Sequence, residues 1–249
     1  MKTINQFFYK GIFVLIMIIF NSSTFAENNS SVYGLVSFVS GEATVSKNNK
    51  SIPAKLSMKV EENDVITTKN GMIRIQITDA YICHIEKNTT VTFKKILESS
   101  SIKSYNIDLH KGQVFSRLIH DKNKHSELTI STPTFTAGVR GTEFMVNVND
   151  QEPSAKVEPA SEKFIPSGVY VKNGSVDVET IGKKNLQKIN VKSGEQAAVE
   201  PGQLIKDVLD DYVATKMKIL DELRIMKEYN CKLIDEQKEK NRKMLEEFK

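Results

Sequence analysis

The chain has no tryptophan and only two cysteines, Cys83 and Cys231, in 249 residues. Two thiols cannot build the disulfide framework that holds small secreted domains together, so the fold must rest on an apolar core. Without tryptophan, the broad indole face on which a sugar ring commonly stacks is missing. Nor does any apolar run reach spanning length. The longest, residues 11–20, is about half of the roughly 20 residues a membrane helix needs. Charge of one sign is lacking too: 35 Lys+Arg against 31 Asp+Glu leave +4, and the two signs alternate. That excludes the basic face nucleic acids require. No Gly-x-Ser-x-Gly elbow, His-Glu-x-x-His zinc motif or Gly-x-x-x-x-Gly-Lys loop occurs, so neither enzyme activity nor a cofactor is expected. His120 and His125 flank a lysine-rich turn that would repel a cation, with no third ligand at a useful spacing.

What is present begins with a secretory layout: Lys2 and Lys10, the apolar core at 11–20, then the small-residue exit Thr24-Phe25-Ala26. We expect cleavage after Ala26, which removes 26 of 249 residues and leaves 223, a soluble chain released into a periplasmic or otherwise exported space. If the apolar segment is retained, the chain is instead tethered to the membrane.

From residue 32 to residue 200 one grammar repeats, a glycine followed by apolar residues at every second position. It is seen after Gly41 (Ala43, Val45), Gly71 (Ile73, Ile75, Ile77), Gly112 (Val114, Ser116, Leu118), Gly174 (Val176, Val178) and Gly194 (Ala197, Val199). A period of two is the signature of half-buried strands, and glycine at each entrance suits the positive φ of a tight corner. The pattern predicts strands at 34–39, 42–46, 64–68, 72–78, 81–85, 90–94, 104–109, 113–118, 127–131, 142–148, 168–172, 175–179, 186–191 and 195–199. The fold class is therefore mainly β, a sandwich or solenoid of many short strands. Cys83 shares parity with Ile85 and reads as a small core hydrophobe, whereas His84 and His110 read as outward-facing strand residues. Residues 149–166, with two prolines and few apolar side chains, read as an exposed loop inside a hairpin whose arms are 142–148 and 168–172.

After Pro201-Gly202 the grammar changes. Residues 204–249 contain no proline or glycine, and Leu209, Tyr212, Ile219, Leu223, Met226 and Leu233 fall at three- and four-residue steps, predicting one long amphipathic helix. Polar residues interrupt its heptads, so three uses stay open: a coiled coil with a second copy, packing of its first half on the β-domain, or pairing with a partner's helix.

The segment Thr132-Pro133-Thr134-Phe135-Thr136-Ala137-Gly138-Val139-Arg140-Gly141-Thr142-Glu143-Phe144 is the most specific string in the chain. With Asn63-Asp64-Val65-Ile66, Lys172-Asn173-Gly174-Ser175-Val176 and Ser193-Gly194-Glu195-Gln196 it resembles the FecR domain of bacterial envelope proteins, over residues 32–201. Asn63 and Ala80 depart from the family pattern at positions where glycine is usual. The resemblance implies structural motif residues Asp64, Thr132, Pro133, Gly138, Arg140, Gly141, Thr142, Phe144, Gly174 and Gly194. Arg140, between two glycines, is expected to clamp an internal carboxylate such as Asp64 or Glu143. Membrane-spanning anti-sigma regulators of this family carry a cytoplasmic segment before their membrane helix, and ten residues, Met1 to Lys10, are too few to fold as one.

The expected function is thus an exported, non-enzymatic FecR-domain module that binds or scaffolds an envelope protein, with homo-oligomerisation through the tail as a further option. The alternatives are a membrane-tethered signalling component sensing an envelope receptor, and a protein that binds cell-wall polysaccharide.

Overall fold

Strict alternation decides which side of each strand turns inward, and here it produces two layers that share one interior. The computed structural model describes residues 32–99, 101–119, 125–149, 163–182, 186–200 and 203–247. The signal segment, His120 with its lysine turn, and most of the loop at 149–166 lie outside the described residues.

Seventeen strands are numbered in chain order. One layer, sheet A, takes β1 (Gly34–Ser40), β4 (Lys59–Val60), β6 (Met72–Ile77), β7 (Tyr81–Ile85), the second half of β9 (Ile102–Leu118), β12 (Glu143–Val148), β13 (Gly168–Asn173), β16 (Glu195–Glu200) and β17 (Gln203–Val208). Its lateral order is β4-β1-β6-β7-β9-β12-β13-β16-β17. The other layer, sheet B, takes β2 (Ala43–Lys47), β3 (Lys50–Pro53), β5 (Val65–Thr68), β8 (Thr90–Glu98), the first half of β9, β10 (His125–Ser131), β11 (Phe135–Val139), β14 (Ser175–Thr180) and β15 (Lys188–Lys192). Its order is β3-β2-β5-β8-β9-β10-β11-β14-β15. Among the described pairings only β9 with β10 is parallel, so the chain is a sandwich and not a parallel solenoid.

The core is a single cluster drawn from both sheets, including Val45, Ile66, Ile75, Cys83, Phe93, Ile107, Val114, Phe135, Phe144 and Val178. Cys83 is fully buried there, as its parity predicts, and burial pushes its thiol up to about 12.

Two strands expected at 104–109 and 113–118 are one 17-residue strand. Gly112 lies where it passes from one sheet to the other: its φ is +92°, and a Cβ there would stand 2.6 Å from the Thr89 Cα. The inward parity switches at this point, from Tyr105, Ile107 and Leu109 to Val114 and Leu118. The hairpin arms around 149–166 do pair, Phe144 opposite Val171 and Val146 opposite Val169. Asn63 takes φ +67°, the role its side chain allows in place of glycine. At the Ala80 departure Thr78 adopts φ +48° and makes the turn instead.

The tail differs from the single helix expected over 204–249. Residues 203–208 extend sheet A as β17, because Leu204, Ile205 and Val208 can pair along β16. The helical part starts at α1 (Asp211–Lys216), capped by Asp210, whose carboxylate accepts from the Tyr212 and Val213 amides at 2.9 and 3.3 Å. It continues as α2 (Ile219–Glu247), 29 residues or about 44 Å.

Candidate functional site

The expected motif is a corner. Thr132 Oγ1 donates to the Phe135 carbonyl at 2.8 Å and accepts from the Phe135 amide at 3.0 Å, closing a turn on whose outside Pro133 is exposed. β11 then runs to Val139 in sheet B, and residues 140–142 carry the chain into sheet A. Gly141 makes the bend at φ +64°. Thr142 Oγ1 donates to the Ser175 carbonyl at 2.8 Å, fastening this corner to the Gly174 corner, where φ is +92°. Phe144 follows directly into the core, fully buried. Gly194, at φ +77°, opens β16. Gly138 is the exception in the string: its φ is not left-handed, and a Cβ there would meet only the Asp177 carbonyl, at 3.8 Å.

Arg140 is not the internal clamp. It is exposed, with Nη2 3.2 Å from His125 Nδ1. Glu143 lies directly opposite Arg117 across the β9–β12 ladder and pairs with it at 2.9 Å, the two side chains 12% and 15% exposed. That Arg117 N–H is not aimed into a hydrogen bond, so the contact is ionic in character. Asp64 pairs instead with Lys47 at 2.8 Å and accepts from the Glu61 amide at 2.8 Å. Cross-strand neighbours took both carboxylates before a corner arginine could reach them.

A second apolar cluster, which alternation alone could not locate, lies on the outer face of sheet A. Ile82, Phe115, Met145 and Tyr170 point away from the main core and are covered by Val213 of α1, Met217 of the turn that follows it, and Leu220 and Leu223 of α2. Of the three uses open to the tail, packing of its first part on the β-domain is the one the structure contains. Polar contacts ring the cluster. Lys172 reaches Asp221 at 2.7 Å and holds its carboxyl below the usual range, Lys163 does the same to Asp210 at 2.7 Å, and Lys216 Nζ donates to Gln113 Oε1 at 3.1 Å.

Under the start of α2 sits a buried polar group. Arg74, 8% exposed, donates from Nε to His84 Nδ1 at 3.1 Å, pairs through Nη2 with Glu222 at 3.2 Å, and lies 4.8 Å over the Phe38 ring. His84 Nε2 stands 3.4 Å from Glu86, and this contact lowers the Glu86 carboxyl. His84 does face outward from the main core, as its parity predicts, yet it is 1% exposed, because the tail covers that face. His110 is exposed, within 2.9 Å of Thr92.

Beside this group opens a cleft of about 470 Å³ between the turn after β7, the crossing point of β9, the end of β12 and α1. Its lining includes Glu86, Lys111, Gln113, Asn147 and Lys216. Two of the four sheet edges, by contrast, are guarded. On β17 the Leu204 amide donates to Gln187 Oε1 at 2.7 Å, and Lys206 binds Glu195 at 2.6 Å. β3 ends in Pro53.

Beyond Leu223 the helix loses its cover. Ile225, Tyr229 and Leu233, four residues apart, are 65%, 61% and 45% exposed. No helix among the described residues is long and apolar enough to cross a membrane.

Comparison with known proteins gives one family-model match and two similar structures. No curated protein matches the chain. Two crystal structures of a putative anti-sigma factor from Parabacteroides distasonis ATCC 8503 are similar, both at 16% identity. One, at 1.65 Å resolution, covers 61% of this chain and 62% of its own with a TM-score of 0.44; the other, at 2.50 Å, covers 60% and 61% with 0.43. This chain thus spans about three fifths of the length of those structures. The FecR protein family model matches residues 63–161, a stretch running from the Asn63-Asp64 turn through the Gly138-to-Phe144 corner.

Proposed function

We propose that this is an exported, non-enzymatic FecR-domain protein that binds a partner protein in the bacterial cell envelope. The sandwich serves as a rigid platform and the distal part of α2 as the element it presents. One observation carries this reading: the buried run of the tail ends at Leu223, while the same helix continues to Glu247 with Ile225, Tyr229 and Leu233 on an uncovered face. A helix anchored at one end and apolar on an open stripe is suited to pairing with another helix. The guarded edges of β17 and β3 favour the helix over strand addition as the point of contact. Export rests on the layout of residues 1–26.

A photo-crosslinking residue at position 229, introduced in living cells, tests the reading together with N-terminal sequencing of the envelope form. The expected outcome is a chain starting at Glu27, crosslinked to one envelope protein from position 229 and not from exposed Lys188 on β15. A cytosolic chain, or crosslinking at position 229 no different from that at 188, overturns it. An intact Met1 in the membrane fraction transfers the reading to the tethered signalling component.

A further inference from the structure

The way Arg74 and His84 meet fixes a protonation state, and that state holds the helix. Arginine has only donors, so the 3.1 Å contact from Arg74 Nε requires a lone pair on His84 Nδ1. His84 is therefore neutral, with its proton on Nε2, the nitrogen 3.4 Å from Glu86. The same guanidinium reaches Glu222 at 3.2 Å and the Met226 sulfur at 3.7 Å, on α2 to either side of Leu223, the last residue of the apolar anchor. One side chain thus ties a buried imidazole to the point where the helix leaves the sheet.

We propose that protonation of His84 releases α2 at Glu222 and Met226, so that the distal helix is held at neutral pH and freed in acid. A proton on Nδ1 removes the acceptor of Arg74 Nε and sets an imidazolium against a guanidinium at hydrogen-bond distance. Every charged group around the pair bears on the outcome. Glu86, following β7, faces Nε2 and favours the charged ring, while Lys216 of α1 lies close enough to Glu86 to offset part of that. Phe115 of β9 presents its ring 6.1 Å away and contributes no charge. Arg74 of β6 opposes protonation directly. Since Glu86 can keep the charged ring in place, Arg74 is the partner that must move, and it takes its bond to Glu222 with it. The anchor at Val213, Met217, Leu220 and Leu223 has no part in this contact, so the helix loosens after Leu223 without leaving the sheet. This inference goes beyond partner binding and is tested on the chain alone.

Hydrogen exchange of the full chain, corrected for intrinsic rates, reads the release at amides 224–229 while the Ile75 and Cys83 amides report the sandwich. As the pH is lowered from about 7.5 to about 5, exchange at 224–229 should rise about tenfold, the equivalent of one hydrogen bond to a charged group. Ile75 and Cys83 should stay protected. In His84→Gln the amide oxygen still accepts from Arg74 but cannot take the proton, so the rise should vanish. In Arg74→Gln exchange at 224–229 should be high already at neutral pH, with no further rise. A flat response in the parent chain, or the parent's rise reproduced in either variant, overturns the proposal.

Discussion

If the tail is held by an apolar anchor that ends at Leu223, two neighbouring truncations must behave very differently. Leu223 is fully buried against the outer cluster, whereas Ile225, two residues on, is 65% exposed. Leu223→Ala removes a side chain whose burial is worth roughly 1.5–3 kcal/mol and leaves a cavity, so docking of the tail should weaken by about 3 kcal/mol. Alanine is at least as good a helix former as leucine, so none of that loss comes from the helix itself. Ile225→Ala loses little buried area and gains helix propensity, and its effect should stay within about 0.5 kcal/mol. Urea unfolding separates the two when far-UV circular dichroism near 222 nm follows the helix. In a background carrying Tyr212→Phe and Tyr229→Phe, tyrosine fluorescence follows the sheets through Tyr81, Tyr105 and Tyr170, which tryptophan would otherwise mask. The helical signal of Leu223→Ala should be lost at lower urea while the tyrosine signal shifts less. An unchanged helical transition in Leu223→Ala, or an Ile225→Ala variant as damaged as Leu223→Ala, would refute the anchored-tail account.

Two further outcomes follow from the side chains. Arg117→Ala strands the poorly exposed Glu143 and should cost about 2 kcal/mol, whereas Arg140→Ala should lie within about 0.5 kcal/mol of the parent, both by denaturant titration. Cys83, buried and with its thiol pushed up to about 12, should resist iodoacetamide in the native chain and react only after denaturation, as peptide mass mapping will show; modification of the folded protein at that position contradicts the packing.

Much of the sandwich could be read directly from the residues because alternation and glycine corners are local signals. Tyr81 to Ile85 forms a strand with the limits expected, and Phe144 and Cys83 are core residues as parity requires. Where the reading stopped short, tertiary contacts decided. Gly112 looked like the turn between two strands, but a positive φ also serves a strand that bends from one sheet into another. Residues 203–208 carry apolar side chains compatible with a helix or a strand, and the open side of β16 chose the strand. Phe135 to Val139 lay inside the recognised string without being read as β, since a threonine, an alanine and a glycine dilute its pattern. The pairing of Arg117 with Glu143 depends on a register between strands more than twenty positions apart in the chain, which spacing within either strand does not encode. The burial of His84 depends on a tail well over a hundred residues downstream.

Strand β9 gives one half of its length to each layer, and β7, β8, β10 and β12 all find a partner on it. Neither half of the sequence can therefore complete a layer by itself. During folding the N-terminal hairpins must wait, with their apolar sides uncovered, until the chain through residue 118 is free to pair, and only then can both layers close on the same ribbon. A single protease cut near residue 110 would accordingly undo both layers together, so splitting the molecule there should yield two insoluble fragments and no half-sized folded unit.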